Sequence, residues 1–170
     1  MFRRTFITTY ANVVPDITRE AVAYHVGGDW LKRKKREYGM VVQWGKEPLR
    51  IARSDGVLAG FGRVAASRRN GALFVAPEYH GSRVGLALLY ALACDVGVKE
   101  DTHLMVVPGT PAVKFYSRLG FVRTYKELPV NFPRLRGGQI LPLMELVLYA
   151  ETAQQTMERV APLLAEVAIQ

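Results

Sequence analysis

One cysteine, Cys94, stands in a chain of 170 residues. No disulfide can therefore staple the fold from within, and a reducing setting suits the chain. Histidine is almost as scarce, and the three residues His25, His80 and His103 are too scattered to suggest a local metal cluster. No metal is expected. Long apolar runs are also missing: nothing approaches the roughly 18–20 uninterrupted apolar residues of a membrane span. The opening Met1-Phe2-Arg3-Arg4 is basic, but a polar, β-like stretch follows it in place of the apolar run of a secretory signal. These absences predict a soluble, cytoplasmic protein with no membrane partner. Internal repeats and low-complexity tracts are lacking too, which excludes solenoids and disordered arrays.

Acidic residues are outnumbered, 15 against 23 Lys and Arg, giving a formal net charge of +8. A field of that sign favours an anionic ligand or partner and leaves open whether it is a phosphorylated cofactor, a nucleic acid or an acidic protein surface. With 49% hydrophobic residues the chain can bury one sizeable core, so residues 1–170 are expected to form a single domain.

Local patterns divide the chain as follows. Thr5 to Tyr10 is β-branched and aromatic and predicts a first strand, with Thr18 as the cap of a helix running to Tyr38 and broken at Gly27-Gly28. The run Lys32 to Arg36 covers every side of that helix and reads as a solvated surface. Leu49–Arg53 and Val57–Val64 flank Asp55-Gly56, a dipeptide suited to a tight hairpin, and Ala72–Ala76 follows as a third strand. From Arg83 the period becomes helical, with Leu88, Leu89, Leu92 and Val96 on one stripe and Gly97 as the stop. Cys94, in mid-helix, reads as a small core residue. His103–Val107 predicts a buried strand, Pro111 a helix start and Gly120 its end. Phe121–Glu127 and Ile140–Tyr149 predict two closing strands around a loop carrying Arg134 and Arg136. Glu151–Ala168 is amphipathic, with Met157, Val160, Leu164 and Val167 on one side; the C-terminal helix (150–170) serves for packing or as a homodimer contact.

Chemistry is concentrated in Leu73-Phe74-Val75-Ala76-Pro77-Glu78-Tyr79-His80-Gly81-Ser82-Arg83-Val84-Gly85-Leu86, a strand that turns directly into a helix. Such a junction aims unpaired N–H groups and the positive end of the helix dipole at one spot, which suits a pyrophosphate. Gly81 and Gly85 keep side chains away from that spot, and Ser82 and Arg83 can add hydroxyl and guanidinium contacts. A plain surface turn would carry the same glycines. The second segment decides the matter: Ala112-Val113-Lys114-Phe115-Tyr116-Ser117-Arg118-Leu119-Gly120-Phe121 follows in order.

Together the two segments resemble the GNAT acetyltransferase superfamily. There the first corresponds to the Val-x-Pro-x-x-Arg/Gln-x-x-Gly-x-Gly signature for the pyrophosphate of acyl-coenzyme A, and the second to Ala-x-x-Phe-Tyr-x-x-Leu-Gly-Phe. His80 stands where the family has Arg or Gln, Arg83 where the first signature glycine would be, and Pro108 to Pro111 where an asparagine is often found. The resemblance implies an α/β (α+β) GNAT fold: a central mixed, mostly antiparallel sheet of six to seven strands, helices on both faces, splayed between Leu73–Val75 and Leu104–Val106. It implies acetyl-CoA as co-substrate, bound by Leu73, Phe74, Val75, His80, Gly81, Ser82, Arg83, Val84, Gly85 and Leu86. It also implies Tyr116 as the acid that protonates the departing thiolate, with Phe115 and Leu119 left to packing. No general base is assigned; His103 begins a strand at the edge of the cleft.

The function so implied is transfer of an acetyl group to a primary amine of a small molecule or a protein. An amine carried by RNA, held on a basic face of Arg3, Arg4, Lys32 to Arg36, Arg68 and Arg69, is an alternative, as is a non-catalytic acyl-CoA-binding scaffold. Trp30, Tyr38 and Trp44 are candidates for lining an acceptor pocket.

Overall fold

The structure, a computed structural model, describes residues 47–64, 71–124 and 142–164, together with Thr5, Thr8, Lys32, Arg36 and Gly39. Its elements begin with a hairpin. β1 (Leu49–Ser54) and β2 (Val57–Val64) run antiparallel. The turn between them has positive φ at both central residues, 50° at Asp55 and 75° at Gly56, the backbone twist that matches flanking strands and that Asp-Gly tolerates. The register slips between Ala52 and Arg53, a bulge that tightens the local twist. β3 (Gly71–Val75) pairs with the far side of β2, completing a three-stranded sheet in the order β1-β2-β3.

A 3₁₀ turn at Pro77–Tyr79 leads to helix α1 (Val84–Val96), which lies on this sheet. Two glycines of β2 set the distance. A Cβ built on Gly60 would stand 2.9 Å from Leu88 Cδ1 and 2.9 Å from the Phe74 carbonyl, and one on Gly62 would stand 2.8 Å from Leu92 Cδ1. Leu88 and Leu92 are buried in the contact, as the helical stripe predicts. Cys94 is exposed, contrary to the expectation of a core position: two residues on from Leu92 is more than half a helical turn away. Arg50 of β1 ties the last turn of α1 to the sheet through both carboxylate oxygens of Asp95.

A second sheet holds β4 (Thr102–Val106), β5 (Val122–Arg123) and β6 (Met144–Leu148) in the order β4-β6-β5, all antiparallel. β6 begins at Met144, later than the sequence suggests, because Pro142 has no N–H for the ladder. Among the described residues no ladder joins β3 to β4. Among those residues each is the end strand of its own sheet, in keeping with the splay that the family resemblance implies.

Helix α2 (Pro111–Arg118) opens with Pro111 at its first position and closes on Gly120, φ 91°, with the Phe121 amide donating back to the Tyr116 carbonyl. Helix α3 (Ala150–Val160) then packs over that end. Thr156 Oγ1 donates to the Leu119 carbonyl at 3.0 Å and Arg159 Nη2 to the Arg118 carbonyl at 3.2 Å. The carbonyls that a helix leaves orphaned at its C-terminus are thus met by side chains of the next helix. Asp101 accepts the Ala150 amide at 3.0 Å and serves the opposite end of α3. The α-helix stops at Val160, and residues Ala161–Leu164 form a 3₁₀ turn, because Pro162 cannot continue the i−4 ladder.

Two apolar clusters form the described core. Ala52, Ala59, Val84 and Leu88 lie under α1, while Val106, Tyr116, Leu119, Phe121, Leu146 and Val160 fill the space between α2, α3 and the second sheet. Leu73 packs against both clusters. The α+β class and the antiparallel pairing are borne out. The strand expected at Thr5 to Tyr10 is not: Thr5 and Thr8 are helical, since β-branched propensity without a clear alternation is easily outweighed by tertiary context. Lys32 and Arg36 are helical and exposed, as expected. The Gly27-Gly28 break, Trp30, Tyr38, Trp44, Arg68, Arg69, the Arg134–Arg136 loop and Val167 lie outside the described residues. No described helix is long and apolar enough to cross a membrane.

Gly60→Ala is expected to cost about 1–3 kcal/mol, because its methyl group meets a backbone oxygen that cannot yield. Urea unfolding should show a lower midpoint at unchanged slope; a variant as stable as the parent would mean that α1 can lift from β2 without penalty.

Candidate active site

The turn between β3 and α1 is built by its own side chains. The Ser82 hydroxyl donates to the Tyr79 carbonyl at 2.6 Å, and the Ser82 amide donates to the same oxygen at 3.2 Å. His80 Nε2 donates to the Val75 carbonyl at 3.1 Å, closing the ring of residues that follows the strand. Gly81 has φ 85° and open space where a side chain would begin. The turn is thereby fixed with the main chain of Gly81 uncovered at its crest.

Arg83 caps α1 with left-handed backbone, φ 64° and ψ −4°. This is the position at which the family signature has glycine, and an arginine there is strained. Its side chain has a partner: Nη1 donates to the Leu163 carbonyl at 3.1 Å, joining the turn to the end of the chain's described C-terminal segment. The first bond of α1 runs from the Ala87 amide to the Arg83 carbonyl. Consequently Val84, Gly85 and Leu86 lie ahead of the first i−4 bond, and their amides face out of the helix end with its positive dipole. A Cβ on Gly85 would meet Val75 Cγ2 at 3.4 Å and the Phe115 ring at 3.8 Å, so Gly85 faces the strand and α2 rather than the mouth of the turn.

The remaining expected ligands divide between the two faces of β3. Leu73 and Val75 pack toward α1, and Phe74 stacks on Phe61 on the other side, with ring centroids 5.3 Å apart. Tyr116 is 9% exposed. Its ring meets Phe115 and Phe121 edge-on, at 5.0 Å and 5.2 Å. It sits in the core cluster with Val106 of β4 and Leu146 of β6. The residues 73–86 thus form one continuous strand–turn–helix corner, and Tyr116 reaches the second sheet from α2.

The corner thus joins an end strand of one sheet to a helix start whose first amides lie ahead of the i−4 ladder. A family model described as "Acetyltransferase (GNAT) domain" matches residues 13–134. The chain belongs to the GNAT acetyltransferase family. As a member of it, this GNAT protein is an acyl-CoA-dependent N-acetyltransferase. Similar solved structures include a GCN5-related N-acetyltransferase from Rhodopseudomonas palustris (TM-score 0.65, 21% identity, 87% of this chain and 84% of that one). The PaiA N-acetyltransferase of Thermoplasma acidophilum, in complex with coenzyme A, has TM-score 0.60 at 20% identity over 84% and 86% of the two chains. A variant of the spermidine N-acetyltransferase of Vibrio cholerae has TM-score 0.54 at 17% identity over 72% and 76%. At these identities they establish the shared fold. No curated protein matches the chain.

Two contacts in this GNAT domain are not spelled out by the motifs. The Leu163 carbonyl behind Arg83 comes from 80 residues away and has no side-chain signature. Glu145, which binds His103 Nδ1 at 3.0 Å and accepts from Thr124 Oγ1 at 2.6 Å, does leave a signal: it is the one charge in the apolar run Met144-Glu145-Leu146-Val147-Leu148. Among the described residues, no group of three or more His, Cys, Asp and Glu is placed to hold a metal ion.

Replacement of Arg83 separates strain from bonding. Arg83→Gly and Arg83→Ala both lose the Leu163 contact, but only glycine relieves the left-handed backbone. The glycine variant should be the more stable of the two by about 1–2 kcal/mol in urea or thermal unfolding; equal stabilities would remove strain from the account of this turn.

Proposed function

We propose that the whole chain acts as one domain that moves the acetyl group of acetyl-CoA directly to a primary amine of a small molecule or a protein. The observation that carries this reading is the corner at residues 81–86. Gly81 and the first residues of α1 offer main-chain donors around an uncovered space, and a diphosphate is the anion that such a corner fits best. The neighbour from Thermoplasma acidophilum was solved in complex with coenzyme A, and one neighbour is a spermidine N-acetyltransferase; both are in keeping with the reading.

In this reading the amides of Gly81 and of Val84 to Leu86 take the phosphate oxygens, and the free N–H groups of Arg83 add charge at the rim. Ser82 and His80, whose donors are engaged within the turn, hold its shape. The unladdered backbone of β3, from Leu73 to Val75, hydrogen-bonds the amide-bearing arm of the co-substrate, which meets polar groups that would otherwise go unsatisfied. When bound, the co-substrate supplies a thioester whose carbonyl carbon the amine attacks. Tyr116 then gives its hydroxyl proton to the sulfur as the carbon–sulfur bond breaks, so that the leaving group departs as a neutral thiol.

A thiol-release assay across amines, amino acids, peptides and charged tRNA tests the activity and its acceptor class. Tyr116→Phe should then lower kcat by about 10²–10⁴-fold, the usual worth of a positioned acid, while the Kd for acetyl-CoA measured by calorimetry stays within a few-fold of the parent. Retention of full turnover by this variant would end the assignment of Tyr116, and absence of any heat with acetyl-CoA would end the reading as a whole.

A further inference from the structure

Proton transfer to sulfur is only half of an amide-forming reaction, and the described residues contain a candidate for the other half. Side chains alternate along β4: Leu104 and Val106 pack into the cluster that contains Tyr116, so His103 and Met105 lie on the opposite face. On β6 the same alternation sends Leu146 into that cluster and Glu145, paired in register with Met105, to the opposite face. β3 repeats the pattern. Leu73 packs against the same cluster as Leu104, and Phe74 stacks on Phe61 on the other side. These strands therefore share one face with Tyr116 and carry Phe74, His103 and Glu145 on the other.

On that second face His103 is oriented by a carboxylate. Its Nδ1 lies 3.0 Å from Glu145 Oε1, and Glu145 Oε2 accepts from Thr124 Oγ1 at 2.6 Å, so β4, β6 and the residue that follows β5 each contribute one member. An ionised carboxylate only accepts hydrogen bonds, which requires the proton of the neutral imidazole to reside on Nδ1 and leaves a lone pair on Nε2. No partner for Nε2 is present among the described residues. His103 and Glu145 are each 18% exposed at the side chain, shielded yet reachable. Among the described residues, the groups around the imidazole are Glu145 and the buried Val147 on β6, Thr124 just beyond β5 and, on its own strand, Met105; Glu145 is the charged one of these.

We propose that His103 is the general base of this enzyme, positioned by Glu145 and Thr124, and that the acceptor amine enters from the face of the sheet opposite Tyr116. The proposal rests on the acetyl-transfer reading above. In the step it completes, the amine nitrogen forms a bond to the carbonyl carbon and the carbon–sulfur bond breaks with its electron pair passing to sulfur. The amine proton goes to His103 Nε2, the Tyr116 hydroxyl proton goes to sulfur, and both groups reset by exchange with water. An arrangement with acid and base on opposite faces keeps the two protons from competing for one site.

The test uses the full chain, the amine on which the parent is most active, and thiol release from acetyl-CoA as a function of pH. His103→Gln should lower kcat by about 10²–10⁴-fold, leave the acetyl-CoA Kd within about threefold, and abolish the limb of the kcat profile along which the parent loses rate as the imidazole protonates. Glu145→Ala should lower kcat with the acetyl-CoA Kd unchanged and, in ¹⁵N shifts at high pH, release the proton from His103 Nδ1, since it removes the acceptor that holds it there. A His103→Gln enzyme with near-parental kcat, or with the limb intact, overturns the proposal while leaving acetyl transfer standing; a parent protein that binds no acetyl-CoA overturns both. Independently of any variant, the ¹⁵N shifts of the parent at high pH should show the proton of His103 on Nδ1, and a proton on Nε2 there would also overturn it.

Discussion

The distance between α1 and β2 governs the geometry of this protein. Gly60 and Gly62 let Leu88 and Leu92 lie almost on the strand backbone, which fixes the height and direction of the helix, and hence the point in space at which its first amides emerge. A helix raised by one methyl group would carry the same amides to a different place. Close packing is what makes such a displacement costly, because interiors have no slack into which a shifted helix could settle. The chemistry of the corner at residues 81–86 is in this sense inherited from two hydrogen atoms on a neighbouring strand.

The second constraint is what the sheets leave undone. β3 and β4 each end a sheet with one side of their backbone outside any described ladder, and a protein does not ordinarily keep such groups idle in its middle. β4 and its neighbour β6 face Tyr116 and its apolar cluster on one side and carry His103 and Glu145 on the other.

Much of this was readable in the sequence, for reasons that differ from element to element. The Asp55-Gly56 hairpin, the α1 stripe, Pro111 and Gly120 follow from local backbone chemistry, so they appear where the sequence predicts them. The end of α3 also obeys a local rule that the amphipathic pattern obscures: the apolar positions continue past Val160, but Pro162 ends the α-helical ladder. Thr5 and Thr8 show the opposite case, β-forming side chains held in helix by longer-range context. Within the site, the strand–turn–helix corner could be drawn from glycines and order alone. The partners of Arg83 and His103 could not, since Leu163 and Glu145 arrive through chain topology. That Ser82 spends its hydroxyl proton inside the turn is likewise a matter of three-dimensional closure, invisible in a one-dimensional motif.

Thr156 and Arg159 give α3 a part in the behaviour of α2. They supply the hydrogen-bond partners for the carbonyls of Leu119 and Arg118, so any excursion that frays α3 uncaps the helix that carries Tyr116. The two helices should accordingly open and close as one cooperative unit, with amides of α2 exchanging at rates set by the C-terminal helix. Order at the phenol is thus maintained from a part of the chain that need never touch a substrate.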